Sequence, residues 1–484
     1  MHSSALRAAV HIAAVFAFYL ALFMLLPAAV DFAVSNDDWV VFAVSAGMTA
    51  GTALTVAAAT RDRQPKLSPR LVFLVVNILW LTLSVAGALP FYFASLKLDF
   101  ADSLFESVSA ITTTGSTVIV GLDEAPPGIL LWRSLLQWIG GLGVIALGLF
   151  MLPFLNIGGF AFFRIESSEK ADLPFARFRV YARTLVIVYV MLTAVCAILY
   201  AMAEMTPFDA VNHAMTTLST GGFSTHDASF GHFGNSATLW IATAFMAIGG
   251  MPFSAYMFFV VRSAVPKPLA EQMVYFIAIV FIIGMAVFLS YLPRQEMSDF
   301  GAFTHSIFNI MSVVTTTGYA SADYSLWGPF ALSVFFIATF IGGCSGSTAG
   351  GVKIYRWMVL FRSVNRGLYR LVFPHAVQPI RMGGEPAPED MQASVMLFVV
   401  AFFVIWGVSI PLLGLTGLDL TTSVTGALTA LCNVGPGLGD IIGPAGNFST
   451  LPDSAKWILS LLMLLGRLEI LTVLVLFSPF FWRE

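Results

Sequence analysis

Four ten-residue stretches hold the residue types whose chemistry stands out: Glu106–Gly115 (ESVSAITTTG), His213–Gly222 (HAMTTLSTGG), Asn309–Gly318 (NIMSVVTTTG) and Gly426–Gly435 (GALTALCNVG). Each runs from helix-compatible residues into a small polar tripeptide and ends on glycine, and the glycines recur at intervals of 107, 96 and 117 residues. Such spacing is an internal repeat. Threonine, glycine and exposed backbone at four convergent loops suit one task. A monovalent cation must exchange its hydration shell for fixed oxygen atoms, and rings of backbone carbonyls supply them. Glycine permits the strained dihedrals that aim successive carbonyls at one axis. One such tripeptide is an ordinary turn, whereas four in register argue for a ring.

A second candidate is Gly342-Gly343-Cys344-Ser345-Gly346-Ser347-Thr348-Ala349-Gly350-Gly351, set in the middle of an otherwise apolar segment. Each glycine costs a helix roughly 1 kcal/mol relative to alanine, so the helix is expected to break here; the alternative is small-residue helix packing. Arg467 lies near the centre of the last apolar segment, where a charge normally faces a cavity or the bundle interior. Pairing with Glu469 is disfavoured because residues i and i+2 do not face one another on a helix. Glu106 and His213 are expected to anchor loops rather than bind ions. Gly141-Leu142-Gly143 with Ala146 imitates a dinucleotide fingerprint but has no preceding strand. His226-Asp227 and His232 suggest a metal or catalytic pair, yet with no Cys or further His nearby in sequence an outer loop is expected. Cys196, Cys344 and Cys432 have unrelated spacings, so packing roles are expected.

The elements that must position these residues are membrane helices. Of 484 residues, 58% are hydrophobic and 11% charged, far from a soluble domain. Ten apolar segments approach or exceed the length needed to cross a bilayer, near 9–30, 39–60, 71–95, 128–155, 184–204, 237–262, 272–292, 327–361, 392–414 and 455–481. With both termini cytoplasmic, 19 of the 24 Lys and Arg fall inside, the positive-inside pattern, and all four glycine-ended loops open outward. Sixteen of the 27 acidic residues share that side, and carboxylates around a mouth raise the local cation concentration. The basic run 61–70 marks a cytoplasmic linker, Arg164–Arg183 is expected along the inner interface, and the basic stretch 353–391 suits anionic lipid. Re-entrant backbone at membrane depth implies an aqueous path.

The stretches SAITTTG with LQWIGGLGVIAL, MTTLSTGGFSTHD, VVTTTGY, FIGGCSGSTAGGVKIYRW, LCNVGPGLG and LLGRLEILTVLVLFSP resemble the Trk/Ktr/HKT superfamily of potassium transporters, most closely its bacterial Trk-type membrane subunit. The resemblance spans almost the whole chain. It implies a K⁺ filter of backbone carbonyls from Thr112, Thr113, Thr114 and Gly115; Thr220, Gly221, Gly222 and Phe223; Thr316, Thr317, Gly318 and Tyr319; and Asn433, Val434 and Gly435. The ion ligands would be Thr113, Thr114, Thr220, Gly221, Thr316, Thr317, Asn433 and Val434. Members with serine for the first loop glycine tend to admit Na⁺, and here all four are glycine. The fourth loop, Cys432-Asn433-Val434, departs from the hydroxyl pattern but looks like the family's usual fourth loop. Gly342–Gly351 would be the intramembrane gating loop, met by Arg467 and, at the cytoplasmic end, Lys353. A homodimer in the bacterial inner membrane and a cytosolic regulatory ring with nucleotide-binding domains are further implications. No cofactor and no nucleic acid are expected, and the transported ion is K⁺.

The expected fold is all-α and integral to the membrane: four pseudo-repeats of helix, re-entrant loop, helix around a central pore, behind two extra N-terminal helices. The expected boundaries are 1–68 for the N-terminal hairpin and 69–158, 159–264, 265–372 and 373–484 for the four units. A secondary transporter of a small solute or Na⁺ using broken helices is the alternative, but it expects inverted repeats. An intramembrane enzyme would need convergent acid, base or nucleophile groups within the bilayer, and the charged groups expected there are scarce, essentially Glu106, Arg467 and Glu469.

Overall fold

Apolar runs become helices, and the breaks between them fall at caps. A computed structural model describes residues 2–61, 68–151, 175–262, 264–292, 298–376 and 378–483; most of the basic run 61–70 and the greater part of Arg164–Arg183 lie outside these. Three N-terminal helices, α1 (His2–Phe23), α2 (Leu25–Ala33) and α3 (Trp39–Thr60), precede the first unit of α4 (Pro69–Phe93), α5 (Phe100–Ile111) and α6 (Pro127–Met151). The second unit comprises α7 (Phe175–Met202), α8 (Pro207–Leu218), α9 (Ser236–Gly250) and α10 (Phe253–Arg262). The third has α11 (Lys267–Tyr291), α12 (Asp299–Val314), α13 (Pro329–Thr339) and α14 (Ile354–Val372), and the fourth α15 (Glu389–Gly414), α16 (Leu420–Cys432), α17 (Asp453–Arg467) and α18 (Ile470–Leu474). Among the described residues the one sheet is the hairpin of Arg381–Met382 with Glu385–Pro386.

Seven helices among the described residues are long and apolar enough to cross a membrane, and nine if two bent pairs count as spans. Those pairs are α9 with the start of α10, bent by 85°, and α17 with the segment Ile470–Phe477, bent by 107°. The eighth expected segment, 327–361, is not one crossing. It divides into α13, the glycine-rich stretch and the amphipathic α14, as the glycines require.

The short helices α5, α8, α12 and α16 have 12, 12, 16 and 13 residues, or about 18–24 Å at 1.5 Å per residue, too short for a ~30 Å core. Each begins with a side-chain cap: Asp99 accepts from Asp102 N, Thr206 from Asp209 N, Ser298 from Gly301 N and Asp419 from Thr422 N. Each packs on the helices of its own unit and on the second helix of the preceding one: α8 on α6, α12 on α9, and α16 on α13. Helix α5 packs on α17. That last contact closes four units into a ring. Large apolar side chains such as Phe16, Met191, Ile282 and Val400 are exposed on the long outer helices, while the interior is crowded with buried Ser and Thr. A polar interior inside an apolar mantle is what a lipid-embedded aqueous path requires. The N-terminal helices are tied on by carboxylates: Asp31 accepts from Gly128 N at 2.7 Å and Asp38 from Ser95 Oγ at 2.7 Å.

Candidate ion pathway

All four short helices end in the same backbone motif. The N–H groups of Thr114, Gly221, Thr317 and Val434 donate to the carbonyls of Ser109, Thr216, Ser312 and Thr429 at 2.8–3.0 Å. One residue earlier, Thr113, Thr220, Thr316 and Asn433 donate to Ala110, Thr217, Val313 and Ala430. This pair of bonds is the Schellman ending, which places its penultimate residue in left-handed backbone. Those residues have φ of 55°, 50°, 55° and 55°, and the glycines two positions on have φ of 86°, 79°, 84° and 109°. The fourth loop shares the conformation in spite of its different sequence, because asparagine tolerates it.

The loops interlock in cyclic order. A Cβ on Gly115 would come within 3.0 Å of the carbonyl oxygen of Gly221, one on Gly222 of Thr317 O, one on Gly318 of Val434 O, and one on Gly435 of Thr114 O. Each glycine is thus the space that lets its backbone lie against the next loop's carbonyl. The C-terminal ends of four helices, each carrying about half a negative charge, converge on the same ring. Thr113 Oγ1 and Asn433 Oδ1 are buried there with no hydrogen-bond partner among the described residues. The expected loop residues Thr112–Gly115, Thr220–Phe223, Thr316–Tyr319 and Asn433–Gly435 are therefore brought together, with Phe223 and Tyr319 turned outward into packing. Phe223 lies under the Arg133 guanidinium at 4.0 Å, and the Tyr319 hydroxyl contacts Thr216 Oγ1 at 2.5 Å.

The first residue of each repeat is an anchor in three of the four copies. Glu106 accepts from Val118 N at 2.9 Å and from Arg133 Nε at 2.8 Å, both side chains almost wholly buried. His213 Nε2 meets Ser224 Oγ at 2.9 Å, and Asn309 Oδ1 accepts from Ser321 N at 3.1 Å. Gly426 cannot do this; its neighbour Thr425 accepts from Leu438 N instead. Arg133 links the first two loops by also donating to Ser224 O at 2.8 Å. Gln137, which the sequence did not single out, donates to Gly221 O and accepts from Phe223 N.

Gly342–Gly351 forms an irregular loop against the inner ends of the short helices. Thr348 Oγ1 donates to Leu218 O at 3.1 Å and accepts from Thr220 Oγ1 at 3.1 Å. Gly350 N donates to Thr316 Oγ1 at 2.6 Å and Gly351 N to Cys432 O at 2.9 Å. Cys344 N bonds Gly250 O, Ser345 N bonds Gln272 Oε1, and Gly346 O accepts from Phe253 N. Ser347 Oγ donates to Cys344 O within the loop, and a Cβ on Gly343 would strike Ala349 Cβ. Lys353 stands at the start of α14 with φ 68°, its Nζ donating to Ala349 O at 2.6 Å. Arg467 is buried, donates from Nη1 to Thr348 O at 2.8 Å, and has two further N–H groups without a partner among the described residues. Glu469 pairs with Arg356, not Arg467.

A second repeat explains where Arg467 stands. Ile139-Gly140-Gly141, Ile248-Gly249-Gly250 and Leu465-Gly466-Arg467 occupy matching places in the second helices of three units, and Ile341-Gly342-Gly343 follows directly after that of the third unit. Side chains at Gly140, Gly249 and Gly466 would meet the last carbonyls of α5, α8 and α16, and at Gly141 and Gly250 the ends of α8 and α12. The arginine replaces the second glycine of the pair. The signal was present in the sequence as a recurring I-G-G.

The sequence profile of the TrkH family, described as a cation transport protein, matches residues 42–267 and 268–484. The Trk system potassium uptake protein TrkI of Halomonas elongata is 41% identical over 467 residues, covering 96% of this chain and 94% of that protein. TrkH of Escherichia coli, with the same description, is 38% identical over 88% of each chain. The crystal structure of the potassium transporter TrkH from Vibrio parahaemolyticus superposes with a TM-score of 0.91 at 35% identity, covering 99% of both chains. The four interlocked loops, the matched halves and these relatives agree, and the chain belongs to the TrkH family of cation transport proteins.

Proposed function

We propose that this chain is the pore-forming subunit for K⁺ uptake across the bacterial inner membrane, with the four loop endings as its selectivity filter and Gly342–Gly351 as its gate. The observation that carries this reading is the closed ring of Thr113–Gly115, Thr220–Gly222, Thr316–Gly318 and Asn433–Gly435, one backbone conformation used four times. Carbonyls of Thr112, Thr113, Thr114, Thr220, Gly221, Thr316, Thr317, Asn433 and Val434 replace the hydration shell, and four helix C-termini stabilise the cation. The glycine-rich loop crosses below, with the fixed charge of Arg467 beside it opposing cation passage. The units run 69–158, 159–264, 265–372 and 373–484, with the termini cytoplasmic and the loops open outward. The relatives named for a Trk system support association with further components of that system; a homodimer and a cytosolic nucleotide-binding ring that moves the gate complete the reading. The chain transports and does not catalyse. Expression in a bacterium stripped of its own K⁺ uptake, together with Trk-type regulatory subunits, tests it. Growth at limiting K⁺ that is lost on Gly222→Asp supports the reading, and no growth advantage with the protein present in the membrane contradicts it.

A further inference from the structure

We infer that Asp123, His226 and His232 form a binding site for a divalent transition-metal ion where the first and second units meet, just beyond the loop ring, and that its occupancy slows cation entry. In sequence the two histidines lack a third donor. The fold supplies one from 103 residues away: Asp123 Oδ1 lies 2.5 Å from His226 Nδ1. The imidazoles of His226 and His232 stack with centroids 3.6 Å apart and planes inclined by 3°. One ligand atom from each of the three residues lies within 4.8 Å of the others. Ligand atoms around tetrahedral zinc stand about 3.3 Å apart, given metal–nitrogen bonds of ~2.0–2.1 Å, so side-chain rotation would open the Asp123–His226 contact by about an ångström and draw the wider separations in by up to about 1.5 Å. Asp123 and His232 are exposed and able to turn.

Two further features favour a cation. The other ring nitrogen of His226, Nε2, is shielded from solvent with a second carboxylate, Asp209 Oδ1, 3.6 Å away, a partner on the far side of the ring that orients Nδ1 toward Asp123 for a metal. The edge of the Phe233 ring walls both imidazoles, with centroids at 5.5 and 5.2 Å, which limits competing water. Two imidazoles and a carboxylate are a borderline-soft set suited to Zn²⁺, Ni²⁺ or Cu²⁺ rather than Mg²⁺ or Ca²⁺. The site bridges units: Asp227 accepts from Leu122 N, and Asp123 accepts from Asp227 N. His226 follows Gly222 by four residues, and Ser224 between them holds Arg133 and His213. A divalent charge fixed there opposes an approaching monovalent cation. The effect on flux rests on the proposed pathway; the binding does not.

The test is titration of ZnCl₂ into the EDTA-stripped, detergent-solubilised full chain by isothermal calorimetry, with His232→Gln and Asp123→Asn alongside. Both substitutions are at exposed positions, and matching thermal melts show that the variants are folded. One site per chain in the micromolar range, weakened at least tenfold by each variant, is the expected result. Identical isotherms for wild type and both variants, or no binding by wild type, overturn the site. In proteoliposomes, ⁸⁶Rb⁺ uptake should fall with Zn²⁺ and recover with EDTA in wild type but not change in His232→Gln. Binding without any change in uptake removes the effect on entry and leaves the metal site standing.

Discussion

Three of the four residues held in left-handed backbone at the ends of the short helices are threonines, and a β-branched side chain there is strained by about 1–3 kcal/mol. Glycine would relieve that strain, but it has no hydroxyl for Gly350 N to reach at Thr316 or for Thr348 to meet at Thr220. Two of the threonines, Thr220 and Thr316, connect the loop ring to the glycine-rich loop beneath it. What holds the strained backbone is the shell behind it, above all Glu106 with Arg133. Removing one partner of a buried pair leaves an uncompensated charge and costs about 3–5 kcal/mol. Glu106→Ala should therefore lower the thermal midpoint of the detergent-solubilised protein sharply, whereas Glu106→Ala with Arg133→Met should recover part of the loss. An unshifted midpoint in the single variant would remove this anchor. The glycines of the ring, and Glu106 and His213 as anchors, were legible in the sequence because repetition exposed them. Gln137 was not, since a lone glutamine in an apolar helix carries no pattern until its partner, 84 residues away, is known.

At the scale of elements, the short helices owe their starts to side-chain caps and their ends to one turn. Asp419 shows the acid dependence of such a cap. Hydrogen bonds from the Thr422 hydroxyl, and from backbone N–H groups, hold its carboxyl below the usual carboxylate value. A depressed value means that the cap stabilises above the unfolded carboxylate range near 3.8 and is lost as pH falls through the lowered one. Asp419→Ala should lower the unfolding midpoint at neutral pH, by a cap's typical ~1 kcal/mol, and the difference from wild type should shrink in acid; a difference independent of pH would contradict this. The glycine-rich break was readable from composition, but its partners were not, because Leu218, Thr316 and Cys432 come from three different units. Shortening Gly342–Gly351, or Arg467→Ala, should raise ⁸⁶Rb⁺ flux several-fold without abolishing the preference for K⁺. Unchanged flux in both would end the gate assignment. Hydropathy alone averages over the eighth segment, 327–361, as one crossing; its glycines, not its hydropathy, mark the loop that divides it.

For the whole molecule, ring closure is the property on which everything else depends. Sequence established four copies and a membrane setting, but not that α5 meets α17 or that each loop glycine lies on the next loop's carbonyl. Those contacts join residues roughly a hundred to more than three hundred positions apart, and local pattern is silent on them. Asp123 with His226 and His232 is another product of closure, since its donors come from different units. The asymmetry of the ring is equally informative: three units keep a glycine pair at this place, two in the second helix and one just after it, while the fourth substitutes Arg467. A fourfold scaffold so carries one fixed charge on one side.

The most direct measurement is ⁸⁶Rb⁺ uptake into proteoliposomes with excess K⁺ or Na⁺ as competitor, for wild type and Gly318→Ser, a substitution whose Cβ would strike Val434 O. The account predicts block of the wild type by K⁺ and not by Na⁺. It predicts that the serine reduces this discrimination roughly tenfold or more, the effect of about 1.4 kcal/mol, and that Gly115→Ser acts likewise through Gly221 O. Equal block of the wild type by Na⁺ and K⁺, or discrimination untouched by either serine, would contradict the four-loop filter.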